Sequence, residues 1–74
     1  ISYTLPHKSV VSLNVYDIFG KEVALLVEKS QPAGTYKIIW DGINHKGERI
    51  KNGYYLVKLS ANGRNMTPKM LFLE

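Results

Sequence analysis

The sequence contains no cysteine. No disulfide can brace the fold and no thiolate can hold a metal, so stability has to come from burial alone. No apolar run approaches the ~20 residues that a membrane-spanning helix needs. There is no charged-then-apolar leader. The chain also lacks an initiating Met and starts inside a strand-like run, Ile1 to Leu5. It therefore reads as a piece of a longer protein, and the missing leader says nothing about that protein's destination. Internal repeats, low-complexity stretches and any convincing helical pattern are absent as well. No run of like charge occurs either. The ten basic residues (Lys8, Lys21, Lys29, Lys37, Lys46, Arg49, Lys51, Lys58, Arg64 and Lys69) are scattered against six acidic ones, for a net charge of +4. Nothing in that spacing tracks a phosphate backbone, so no nucleic-acid partner is expected. The charges read as a solvated surface, with a weak attraction to anionic polysaccharide or lipid headgroups left open.

The 74 residues make one domain, and 45% of them are apolar. A chain of this size buries roughly 60% of the surface it exposes when unfolded, which predicts modest stability. The stretch Tyr36 to Ser60 is the most informative. Tyr36, Ile38 and Trp40 alternate with Lys37 and Ile39, and Tyr55, Val57 and Leu59 alternate with Leu56, Lys58 and Ser60. A period of two puts each trio on one face of a strand, and aromatic and β-branched side chains suit a half-buried pleat. Trp40 is the only tryptophan and the largest single apolar block available for burial. Asp41-Gly42, Lys46-Gly47 and Asn52-Gly53 supply turn points between the two runs.

Elsewhere, Ile1, Tyr3 and Leu5 alternate with polar residues until Pro6 ends the run, as in an edge strand. Val11, Leu13 and Val15 mark a second strand, closed by the turn Asp17-Ile18-Phe19-Gly20. Lys21 to Val27 suits a short helix by propensity and a strand by its length and its place after a hairpin-type turn; it is assigned to strand. Glu28 to Ala33, with Pro32, reads as loop. Glu48 to Lys51 is a candidate short strand inside the long connection. Asn62-Gly63 suits a tight hairpin with positive φ at both central positions. Met66 to Glu74 is a final strand with Met70 and Phe72 on one face and Leu71 and Leu73 on the other. About seven short strands separated by turn signals predict an all-β fold without helices, a small antiparallel sandwich.

Catalytic chemistry is hard to place. His7 and His45 lie in loops without an obvious partner, and a general base needs a positioned partner and a pocket. Asp17 and Asp41 stand where an Asx side chain caps its own turn. Asp41-Gly42-Ile43-Asn44 glances at a calcium loop, but Ile43 takes a position that needs an oxygen ligand. No Gly-x-Ser-x-Gly elbow, phosphate loop or row of exposed rings is present. The expectation is a non-catalytic binding or structural module without cofactor or metal. Tyr54 and Tyr55 are adjacent, so one belongs to the core and the other faces outward or lies under a neighbouring strand.

Five pieces in order, ISYTLP, VSLNVYDIFGKEVALLV, QPAGTYKIIWDG, GERIKNGYYLVKLS and PKMLFLE, cover nearly the whole chain. Together they resemble the C-terminal sorting domain (type A) of the type IX secretion system. The middle is also similar to the Ig-like domain of the flagellar hook-capping protein, with its WDG…N..G..V..G.Y core. Both resemblances imply an Ig-like β-sandwich. The first implies a domain at the end of an exported cargo protein, recognised by outer-membrane translocation and sortase-like proteins on its way from the periplasm to the cell surface or medium. The shared positions are Gly34, Tyr36, Asp41, Gly42, Gly53, Tyr55 and Lys69 with the apolar tail; the first six, with Trp40, are expected to define the fold. The Pro-Asn-Pro segment that usually precedes the first strand is missing, and Glu74 stands where a lysine is common. The residues expected to carry partner recognition are Lys69, Met70, Leu71, Phe72, Leu73 and Glu74: a last strand apolar on both faces and ending in a carboxylate can add to a partner sheet or enter a groove. The alternative is a structural module, a spacer or filament subunit pairing with its own kind through sheet edges.

Overall fold

The computed structural model describes every residue from Ile1 to Glu74. Seven strands follow one another with no helix: β1 (Ser2–Leu5), β2 (Ser9–Tyr16), β3 (Glu22–Gln31), β4 (Gly34–Lys37), β5 (Gly53–Ala61), β6 (Arg64–Asn65) and β7 (Lys69–Leu73). The alternation on β2 is the cleanest in the chain. Ser9, Val11, Leu13 and Val15 are buried while the residues between them are not. That pattern makes β2 an interior strand, paired antiparallel with β3 on one side and β5 on the other. The far side of β5 is shared end to end by β6 and β7. A second sheet of only two strands, β1 and β4, covers the inner face of the first.

Both sheets supply the core: Tyr3 and Leu5 from β1, Val11, Leu13 and Val15 from β2, Ala24 and Val27 from β3, and Tyr55 and Val57 from β5. Only 12 of the 74 residues are buried, so each of these side chains carries a large share of a small total. The one buried side-chain amide, Gln31, accepts a 2.7 Å hydrogen bond from the Tyr3 hydroxyl, which removes the cost of an unpaired polar group in the core. The Tyr36 ring stacks on Tyr3 at 5.4 Å, and its hydroxyl donates to the Pro32 carbonyl.

Several boundaries differ from the sequence reading. The run Tyr36–Trp40 is strand only to Lys37, with one further backbone exchange between Ile38 and Ile1. The two runs flanking the polar loop also lie in different sheets, β4 on β1 and β5 between β2 and β7. Glu28 to Gln31, read as loop, extends β3 as an edge opposite Ser9–Ser12; Glu28, Lys29 and Ser30 meet water there, while buried Gln31 is satisfied by Tyr3. Glu48–Lys51 contributes one isolated bridge, Ile43 to Arg49, rather than a strand. The final strand starts at Lys69, not Met66, after Pro68, which has no N–H to give a ladder.

The ambiguity of Lys21–Val27 has a structural cause. Two register shifts leave Leu26 and Val23 without partners opposite β2. These bulges break the strict alternation, so the buried positions fall at Ala24, Val27 and Gln31. Spacings of three and four mimic a helical face on a strand. At the other hairpin, Asn62 (φ 52°) and Gly63 (φ 78°) form the expected tight turn. Asn62 also exchanges hydrogen bonds with the Val10 backbone, tying the turn to β2.

Leu13 is almost wholly buried, so Leu13→Ala is expected to lower unfolding free energy by about 2–5 kcal/mol, measured by urea titration. Burial pushes the Tyr3 phenol above its ordinary value; the Gln31 hydrogen bond works against this and the neighbouring Tyr36 adds to it. The unfolded phenol ionises near pH ~10, so Tyr3 supports the fold fully below that pH and its support is lost as pH rises toward the folded value. The stability gap between wild type and Tyr3→Phe is therefore expected to narrow between neutral pH and strongly alkaline pH in parallel thermal melts.

Candidate functional site

The expected recognition residues divide by parity along β7. Leu71 stands opposite Tyr55 and Leu73 opposite Gly53, both inward and packed against the core. Met70 stands opposite Leu56 and Phe72 opposite Tyr54, on the outer face. Met70 is 62% exposed, Phe72 54% and Tyr54 58%. The Phe72 and Tyr54 rings meet at 4.8 Å in a tilted pair. Across the sheet Leu56 pairs with Tyr16 on β2, and the Lys58 ammonium sits 4.7 Å from the Tyr16 ring centroid. Tyr16, Leu56, Met70, Tyr54 and Phe72 thus form one apolar strip over three strands of the outer face. Lys69 and Glu74, at the two ends of β7, are exposed.

Sequence reasoning placed recognition on the tail alone and missed Tyr16, Tyr54 and Leu56. These three lie on strands remote in sequence, and each occupies an outward position next to a core residue. Their usable signal was parity: once Tyr55 and Val15 are assigned to the core, Tyr54, Leu56 and Tyr16 must point the other way. Beside the strip the exposed tip of the β2–β3 turn, Ile18 and Phe19, borders a groove of about 550 Å³ that runs along Asn52–Tyr55.

The inward face of the tail is held by residues expected to define the fold. Trp40 meets Tyr55 edge-on at 5.5 Å and donates from Nε1 to the Ile43 carbonyl at 3.1 Å. The Asp41 carboxylate accepts from the Ile43 N–H, and the Gly42 carbonyl accepts from Ile50. Gly42 has φ +80°, and a Cβ placed there would lie 3.0 Å from Leu73 Cδ2. Gly42 thus meets Leu73 directly, Gly53 stands opposite it on β5, and Trp40 packs on Tyr55, which stands opposite Leu71. Gly34 and Tyr36 do not join them; they sit on the small sheet, opposite Leu5 and Tyr3. His45, read as lacking a partner, places Nε2 3.1 Å from Glu22 Oε2. Its loop docks on the β3 edge through the His45 N–H to the Val23 carbonyl. Glu22 in turn accepts from Asn14, which accepts from Ser12. All of these side chains are at least partly exposed, and the row serves to tie loop to sheet.

Gly42→Ala is expected to cost about 1–3 kcal/mol through its positive φ and the collision with Leu73. The same substitution should raise amide exchange in β7 more than in β2, measurable by hydrogen-exchange NMR.

Residues 1–65 match the family described as the FlgD Ig-like domain. No curated protein and no solved structure matches. The matched span ends with β6, so the outward Met70 and Phe72 lie beyond it. A two-layer antiparallel sandwich of seven strands, with a family match over 65 of its 74 residues, is sufficient: the chain belongs to the FlgD Ig-like domain family.

Proposed function

We propose that this domain is a non-catalytic structural module that joins an assembly through its exposed sheet surface. The observation that carries the reading is the apolar strip Tyr16, Leu56, Met70, Tyr54 and Phe72. Three of its five side chains are more than half exposed, and contiguous outward apolar area of this kind marks contact surfaces. The family supports it, since the match is to an Ig-like domain of hook-capping type. The strip reaches the β7 edge, where side-chain contact and strand addition can combine. Copies of the chain are the simplest partner. No cofactor is needed for such a role.

A second reading keeps the same surface and changes the partner. The module then acts as a C-terminal sorting signal of the type IX kind, gripped by outer-membrane translocation and sortase-like proteins and carried behind a cargo domain to the cell surface. Support comes from β7 itself, an edge strand with apolar residues on both faces. Lys69 to Glu74 would be the gripped segment.

Sedimentation velocity over a concentration series separates the two. Assembly predicts concentration-dependent species, weakened at least about tenfold by Met70→Ser/Phe72→Ser, because each buried apolar side chain contributes about 1.5–3 kcal/mol. A strictly monomeric domain rejects self-assembly. The sorting reading then predicts that a reporter fused to residues 1–74 reaches the surface of a type IX-competent bacterium, and that deleting Lys69 to Glu74 strands it in the periplasm.

A further inference from the structure

The two sheets are unequal. The large one is four strands wide and the small one two, so part of the inner face of β5 has no strand above it. The result is a slot of about 420 Å³. Its floor is Leu13, Val57 and Leu59, one wall is β1 from Ile1 to Thr4, and the other is Met66 to Leu71. The slot opens to solvent, and most of the residues that line it are hydrophobic.

The backbone of β1 identifies what fits. Ile1 and Ile38 exchange both hydrogen bonds, N to O at 3.0 Å and 2.7 Å. Antiparallel pairs alternate between bonded and non-bonded, and the register pairs Ser2 with Lys37 and Thr4 with Thr35. Ser2 and Thr4 are therefore the non-bonded positions. Their N–H and C=O groups point away from β4, toward the slot. β1 has no second strand partner. A row of unpaired donors and acceptors beside an apolar floor is the template for an added strand, and it suits neither a helix nor an acyl chain. Charge narrows the choice further: Lys69 is the one charged side chain that lines the slot, and no carboxylate does.

We propose that this slot accepts one extended strand from a different protein. That strand pairs with Ser2 and Thr4, sets alternate apolar side chains on Leu13, Leu59 and Leu71, and carries an Asp or Glu that meets Lys69. It would complete the small sheet as a third strand. The Tyr54–Phe72 pair lies on the opposite face and the slot shares only Met70 with the outer strip, so protection at Ser2 and Thr4 reads the slot apart from the assembly surface.

A phage-displayed library of random heptapeptides, panned on the immobilised 74-residue domain, tests it. The expected outcome is enrichment of sequences with apolar residues at alternate positions and an acidic residue among them. The best peptide, synthesised, should slow amide exchange at Ser2 and Thr4, which are expected to exchange fast in the free domain while Tyr3 and Leu5 are protected. Thr4→Pro removes an outward N–H without touching the β4 ladder and should weaken binding about tenfold. Lys69→Glu should turn the selected preference from acidic to basic. The proposal is overturned if no alternating sequence is enriched, or if the selected peptide binds without protecting Ser2 and Thr4. It is also overturned if both amides are already protected in a dimeric free domain, which would assign the slot to a second copy. Should Thr4→Pro fail to fold, the exchange measurement and the charge reversal still decide.

Discussion

The inward row of β2 is the contact on which the rest of the molecule depends. Val11, Leu13 and Val15 are almost wholly removed from solvent, and they face Tyr3 and Leu5 from the small sheet while their own strand is flanked by β3 and β5. With no disulfide and few buried residues, this row is the most completely buried part of the core that joins the two layers. The placement of every exposed feature follows. Because Leu13 and Val15 point in, their neighbours Asn14 and Tyr16 point out, and the pairing of β2 with β5 then fixes Leu56 and Lys58 outward as well. The outer strip is the other half of the same alternation.

Most of the fold was legible because the period-two signal is strong where strands are unbroken. Ile1 to Leu5, Val11 to Tyr16 and Tyr54 to Ser60 all place their apolar trios inward, buried except for the half-buried Ile1 and Leu59. What escaped was set by partners rather than by local pattern. Tyr36 to Trp40 alternates throughout, yet only Tyr36 and Lys37 of that run are strand. Glu28 to Gln31 is polar, yet it is strand because Ser9 to Ser12 stand ready to pair with it. On β3 the bulges replace a strand's rhythm with something close to a helix's, and no count of residues alone could separate the two.

The candidate surfaces were legible to a smaller degree. The two-faced tail was visible in Met70 to Leu73, but its continuation through Tyr54, Leu56 and Tyr16 needed the register of β5 on both of its neighbours. The slot beside β1 left no mark on the sequence at all. It arises from the number of strands in each sheet, a global count that neither Ser2 nor Thr4 encodes. The His45–Glu22 contact is similar: it depends on a loop folding back over a sheet edge.

The notch at Gly42 that receives Leu73 carries a consequence for how the tail behaves. Loose, the segment Met70 to Leu73 is a greasy peptide with no preferred side up. Seated in the notch, it can show only Met70 and Phe72. The Phe72 and Tyr54 rings therefore lie side by side only on molecules in which Leu73 has been seated and β7 has paired with β5.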